Sequence, residues 1–427
     1  MSTFIAATRV ASQGTKETDQ PAWAQTLIAG LVLVFTVMLG RNAWVAPETT
    51  VLVLALPVFM NQVKLRFWPY LIAMAYFGSA NVELPGVIDR FFPEGAGAVA
   101  MFGGPLLLTL IQSLPFLLYR PDRPPRERAI RMGAALLLLT LPPIGWLTWM
   151  NPLLAAGLLY PGTGYLGLLL MLATLVVLAA GGQKDSRKWV LAAGVPLLAL
   201  AIGLNYWSRV NPPENLHQWV GFDTRIPPAN QRDPFEVRTI LPGNAITELS
   251  KAVMHDQTDV LVFPESILSP LTPADQVAMS TAVVEAQRRG IVILAGVVEQ
   301  AGPDRWRNTI QAFGAQAGVV DESRLPMPMG NWRLSGGVPA RPFASDLTMI
   351  ETRRGPYVTA MSICYEDTLI WPHFGLLAGR ADVMVSVSNS WATDNTRGRR
   401  TQEASAKLLA RLAGVPLVRS ENRWNPQ

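Results

Sequence analysis

The stretch Val358–Asp367, VTAMSICYED, decides the fold. A short apolar run rich in β-formers ends at Cys364, and Tyr365, Glu366 and Asp367 come directly after it. Such a run, bounded by charge, reads as a buried strand. A side chain placed where a strand gives way to a turn is held rigidly and reached from one side. Cys364 is the single cysteine of the chain. It has no internal disulfide partner, so it is either an inert core residue or a reactive thiol.

Upstream, Asp259–Glu265 reads DVLVFPE, a second apolar strand that ends in a proline and a carboxylate. Thiol chemistry needs a base to generate the thiolate, then a cation or N–H groups to receive the oxyanion. The two strand-end motifs, "PE" and "CYE", resemble the nitrilase (carbon–nitrogen hydrolase) superfamily. Within it they are most similar to apolipoprotein N-acyltransferase. The resemblance implies that Glu265 is the general base, that Cys364 forms a thioester acyl-enzyme and that Glu366 is a second carboxylate orienting the site. It also implies a lysine that stabilises the tetrahedral intermediate, and a nitrilase αββα sandwich.

The rest of the chain divides sharply. It has 427 residues, 50% hydrophobic and only 16% charged, with the apolar residues concentrated before about residue 207. An α-helical membrane domain (22–207) is expected after a polar cytoplasmic tail (1–21). A bilayer core needs roughly 20 apolar residues per helix. The candidate spans are Ala22–Leu39, Thr50–Met60, Trp68–Ala80, Ala98–Tyr119, Met132–Met150, Gly164–Ala180 and Trp189–Tyr206, about seven in all. Leu153–Tyr160 reads as an extra re-entrant piece. Basic residues recur in alternate loops: Arg9 and Lys16, Lys64 and Arg66, Arg120 to Arg131, then Lys184, Arg187 and Lys188. This alternation places the N-terminus in the cytoplasm and everything after Tyr206 outside it, in the periplasm of a Gram-negative cell. The net charge of +5 is thereby explained by loops, and no direct nucleic-acid partner is expected.

From Leu216 the pattern becomes α/β, and residues 216–427 are expected to form the nitrilase-like domain. Strands are expected at Trp219–Asp223, Thr258–Phe263, Ile291–Val297, Trp306–Phe313, Tyr357–Ile363, Asp382–Ser388 and Pro416–Ser420. Helices are expected at Phe235–Val253, Pro273–Arg289 and Arg399–Leu412, the last two stopped by Gly290 and Gly414. RNTIQAF, with Asn308, resembles a strand of the family, and SNSW (Ser388–Trp391) resembles its "TNDAW" segment. On that basis Asn308, Asn389 and Trp391 are candidate substrate-binding residues. EASAKLLARLAGVPLVRSENR (Glu403–Arg423) resembles the family's last helix and strand.

Two departures stand out. The family lysine sits in a "Y-x-K-x-x-L-V-P-F-G-E" loop. Here Val319–Asn331, VVDESRLPMPMGN, matches it at Pro328, Met329 and Gly330, with Asn331 in place of the glutamate. No lysine lies between Glu265 and Cys364; Arg324 is the nearest cation in that loop and the candidate substitute. The family also continues into further strands and a final membrane helix, whereas this sequence stops at Gln427, so the sandwich is expected to be C-terminally shortened. A multi-span, lysine-less form of this domain resembles conjugal-transfer proteins of Ti-type plasmids.

The resemblance therefore implies thiol-dependent amidase or N-acyltransferase chemistry in conjugal transfer, with a membrane lipid or acylated molecule as substrate. The alternative is a catalytically reduced scaffold that binds conjugal-transfer or pilus-assembly proteins. His217, His255 and His373 show no metal-ligand spacing, and neither a metal nor an organic cofactor is expected.

Overall fold

The structure is a computed structural model. It describes residues 22–423 except 93–94, 96, 182–186, 215, 227–246, 248–249, 253–257, 269–270, 272, 303–304, 326–340, 342–343 and 345. The tail 1–21, most of the expected helix Phe235–Val253, and the match at Pro328–Asn331 lie outside the described residues.

The first half is helical: α1 (Ala22–Asn42), α2 (Ala55–Met60), α3 (Trp68–Asn81), α4 (Leu84–Phe91), α5 (Gly104–Ser113), α6 (Pro125–Thr140), α7 (Ala156–Leu159), α8 (Tyr165–Ala180) and α9 (Arg187–Val210). Among the described residues, Trp23–Asn42, Val99–Leu118 and Val190–Val210 are each long and apolar enough to cross a membrane. The pair α3 and α4, bent by 42°, passes the same test as one unit. Glu48–Met60 and Tyr165–Ala180 are apolar but shorter. Outward faces carry Leu27, Leu31, Val34 and Phe35 on α1, and Leu198, Ile202 and Trp207 on α9. A hydrocarbon solvent accommodates such faces, because the backbone bonds are satisfied inside each helix.

One expected span is displaced. Instead of Met132–Met150, the helix is α6, which begins in the arginine loop and ends at Thr140. Pro142 and Pro143 come just after it, and a proline neither donates a backbone hydrogen bond nor lets its predecessor stay helical.

The second half holds two sheets. The first contains β1 (Trp219–Gly221), β2 (Val260–Val262), β3 (Val292–Gly302), β4 (Arg305–Gly314) and β5 (Gly318–Glu322), in that spatial order. The second contains β6 (Leu347–Thr352), β7 (Gly355–Ile363), β8 (Val383–Asn389) and β9 (Leu417–Asn422). β1, β2 and β3 run parallel, as do β7, β8 and β9; β4, β5 and β6 pair antiparallel. Strands β5 and β6 are additions to the sequence reading. Both are partly exposed, so neither shows the continuous apolar run of a central strand.

The sheets face each other across Val260, Val262, Val292 and Leu294 on one side and Met361, Ile363, Val385 and Val387 on the other. On the outside of the first sheet lies α10 (Pro273–Arg289), whose Met279 and Ala286 meet Leu261 and Ile293. After the short α11 (Phe374–Leu377) comes α12 (Arg397–Ala413), outside the second sheet. The layering is therefore α-β-β-α, as in a nitrilase-like sandwich. The outer face of α12 is not free. Leu408, Leu409 and Leu412 share one hydrophobic cluster with Leu153, Leu154, Tyr160 and Met171 of the helical half. The segment expected to be re-entrant, now a 3₁₀ turn (Pro152–Ala155) plus α7, packs on α12.

Candidate active site

Parallel strands bring the residues beyond their C-terminal ends together at one end of the sandwich. Glu265 lies just past β2, Cys364 just past β7, and Asn389 ends β8. Cys364 sits on a sharp elbow, the first residue of a 3₁₀ turn, with φ of +54°. This left-handed backbone is uncommon outside glycine, and a residue is held there only when its surroundings over-determine it. Ser266, just after the glutamate, is similar at +56°. Beneath them β3 passes so close that a Cβ on Gly296 would lie 2.4 Å from the Glu265 Cα.

The thiol of Cys364 and the carboxylate of Glu265 are neighbours, close enough for each to shift the other's proton affinity. Glu265 is buried, 4% exposed. Its Oε1 accepts from Asn308 Nδ2 at 2.7 Å and its Oε2 from the Asn389 backbone N–H at 3.0 Å. Burial pushes the glutamate above the ordinary carboxylate range, and the bonds from Cys364, Asn308 and Asn389 pull against it. Burial, then the charge of Glu265, pushes the thiol well above its ordinary value. The resting pair is thus a protonated thiol beside a strengthened base, on a residue that is half-buried. Such a pair makes a thiolate only as the sulfur attacks.

The two asparagines expected to contact substrate are thus placed on the base. Asn308 fixes one oxygen directly. Asn389 offers its backbone to the other, while its side-chain oxygen accepts from Asn422 Nδ2 at 3.0 Å. Trp391 turns the other way and meets Phe91 of α4, ring centroids 4.8 Å apart.

Arg324, the expected lysine substitute, is not a free cation. Its guanidinium, 1% exposed, donates from Nη1 to Asp321 (3.1 Å), Glu366 (3.1 Å) and the Met361 carbonyl (3.2 Å). Nη2 donates to Asp321 (3.1 Å) and the Asp346 carbonyl (3.2 Å). Burial disfavours its charge, but Glu366 and Asp321 hold the proton on. Glu366 is equally committed: it also accepts from the backbone N–H groups of Arg324, Leu325 (3.0 Å) and Ile363 (3.3 Å). It ties the β5 loop to the elbow. Counting back from Pro328 along the family motif places Ser323, not Arg324, where the lysine stands. Ser323 is buried and donates to Glu366 at 3.2 Å.

The helical half reaches this site. Tyr365, next to Cys364, donates to the Trp146 carbonyl at 3.1 Å, and Arg90 donates to the Ala392 carbonyl at 2.8 Å. Among the described residues no group of three or more His, Cys, Asp or Glu side chains is placed to hold a metal.

No protein-family model matches the chain. A probable conjugal transfer protein TraB of Sinorhizobium fredii is 26% identical over 407 residues, covering 92% of this chain and 97% of that one. The conjugal transfer protein TraB of Agrobacterium fabrum is 26% identical over 423 residues, covering 92% of each. This chain resembles the TraB proteins over nearly its whole length. Among solved structures, a carbon–nitrogen hydrolase from Helicobacter pylori aligns at 14% identity over 43% of this chain and 68% of that one, with a TM-score of 0.33. A nitrilase-superfamily amidase from Nesterenkonia aligns at 13% identity over 47% and 74%, with a TM-score of 0.31. The TraB likeness covers both halves, the apolar helices as well as the sandwich.

Proposed function

We propose that this chain is a membrane-anchored protein of plasmid conjugal transfer whose sandwich carries out thiol-dependent acyl chemistry. The observation that carries the chemistry is the Glu265–Cys364 pair. A buried carboxylate with two fixed donors faces a thiol on a strained elbow. Cys364 Sγ attacks the carbonyl carbon of an amide or ester while its proton passes to Glu265. The tetrahedral intermediate collapses, and the leaving amine or alcohol departs with that proton. Water or an acceptor amine, deprotonated by Glu265, then attacks the thioester. The thiolate leaves and takes that proton back from Glu265. An acylated molecule, or a lipid beside the apolar helices, is the substrate class in view. The alternation of basic loops supports an inner-membrane, multi-pass arrangement with the N-terminus cytoplasmic and the sandwich periplasmic.

Arg324 favours a second reading. A site whose buried cation is neutralised by two carboxylates has lost the usual receiver of the oxyanion, and removing one such donor costs ~10²–10³ in rate. In that reading the sandwich is a reduced scaffold for conjugal-transfer or pilus-assembly proteins. Intact mass of the detergent-purified protein, before and after neutral hydroxylamine, separates the two. The enzyme reading expects a hydroxylamine-labile acyl mass that is absent from Cys364→Ala and accumulates about 10²–10⁴ times more slowly in Glu265→Gln. An unmodified thiol after exposure to phospholipid, with normal conjugation by Cys364→Ser, would leave the scaffold.

A further inference from the structure

The elbow at Cys364 is strained, and one side chain outside both strand-end motifs grips it. Gln402 lies on α12 and is 8% exposed. Its Nε2 donates to the Cys364 carbonyl at 2.9 Å and to Asp367 Oδ2 at 3.0 Å. Asp367 is wholly buried on the same turn, and also accepts from Ser362 Oγ (2.6 Å) and Ser386 Oγ (2.9 Å). One amide thus spans the two ends of the elbow, the nucleophile's carbonyl and the carboxylate three residues on. A strained backbone persists where such bonds outweigh its relaxation.

Gln402 is itself placed by the helical half, which holds α12 at both ends. The Arg397 backbone N–H at the helix start donates to Glu83 Oε2 at 2.7 Å, where a carboxylate complements the helix dipole. The carbonyls of Arg411 and Leu412 at the helix end accept from the backbone N–H groups of Gly162 and Gly164, both at 2.8 Å. Arg411 also donates to Asn205 of α9 at 2.6 Å.

We propose that Gln402 is the positioning residue of the nucleophile: it holds Cys364 in the left-handed conformation that keeps the thiol on Glu265. This rests on the reading of Cys364 as nucleophile. Without the amide the elbow relaxes, the thiol leaves the carboxylate, and deprotonation falls to solvent alone.

Because the chain has one cysteine, thiol reactivity reports on this residue only. The test is the rate of alkylation of the full-length protein by iodoacetamide across pH 6–10 (about two units either side of an ordinary thiol), read by intact mass. Glu265→Gln defines the profile of an unassisted thiol. Gln402→Met, close in shape but without a donor, is expected to reproduce that profile, with about a tenfold lower rate near neutral pH. Gln402→Asn, which keeps the amide but shortens its reach, decides the matter if the methionine variant does not fold. Ser386→Ala loosens the Asp367 network without touching the Cys364 carbonyl and is expected to keep the wild-type profile. If Glu265→Gln matches wild type, the nucleophile reading itself fails. If Glu265→Gln differs from wild type while folded Gln402 variants do not, the positioning role is overturned. It is overturned equally if Ser386→Ala shifts the profile as far as the Gln402 variants do.

Discussion

Gly157→Ala tests the union of the two halves. Gly157 is buried on α7 against α12, and a Cβ there would lie 2.1 Å from the Leu408 carbonyl oxygen and 2.7 Å from its carbon. Both obstacles are backbone, so no side chain can swing aside. Restoring ordinary contact requires α7 and α12 to part by about 1 Å, and a gap of that size forfeits a quarter to a half of each dispersion contact it opens. Overpacking of this kind typically costs ~1–3 kcal/mol, and a rigid backbone obstacle places this case at the upper end. The assay is denaturant unfolding of the full-length protein in detergent, with Gly203→Ala on α9 as control. Nothing lies within 4 Å of a Cβ at Gly203, so the control should match or slightly exceed wild type. Gly157→Ala should be destabilised by ~2–3 kcal/mol, about 30- to 150-fold in the unfolding equilibrium. Equal stability of Gly157→Ala and Gly203→Ala would refute the close packing of α7 on α12.

Two further outcomes are expected. Arg324→Met should destabilise the fold by ~3–5 kcal/mol, because Asp321 and Glu366 are left buried without their cation. Arg324→Lys should not restore it, since an ammonium group cannot reproduce the fork. A normally stable Arg324→Met that has lost thiol chemistry would instead make the arginine catalytic. Stability should also carry two opposing pH slopes. Burial pushes Asp321 up to about 7 although Arg324 pulls it down, against ~3.9 unfolded. The folded state therefore binds more protons between those values, and this contribution is lost as pH rises through about 7. Burial, aided by Arg324, pushes His373 down to about 3, against ~6.5 unfolded. Its contribution is present above the unfolded value and lost as pH falls toward the folded one. Asp321→Asn should weaken the falling slope and His373→Asn the rising one. An Asp321→Asn curve parallel to wild type would count against the buried triad.

Much of the sandwich was legible in the sequence because its central strands are buried on both faces and read as unbroken apolar runs. Val260–Val262 and Val383–Asn389 fall inside or within one residue of where those runs put them. Helix α10 coincides with its expected bounds because Gly290 ends it unambiguously. The edge strands β5 and β6 were not legible, since one face of each meets solvent. Of the site, Glu265 and Cys364 were visible as the charge and the thiol that end two apolar strands. The ion pairs of Arg324 were not legible, because no linear pattern announces that Asp321 and Glu366 converge on it. Gln402 carries no signal of its own. It is one polar residue on an amphipathic helix, and its role arises from where α12 crosses the elbow.

The clamping of α12 also bears on the order in which the molecule is built. The groups that hold this helix are Glu83, Gly162, Gly164 and Asn205, all synthesised long before it. Contacts so distant along the chain form late, after the loop between them has closed. The elbow at Cys364 can receive the Gln402 bond only after α12 has been made. A half-made chain carries the cysteine-bearing strand without the grip that sets the thiol on its base. On the proposed reading of Cys364, assembly itself acts as a safety catch, keeping the thiol unarmed until α12 is in place.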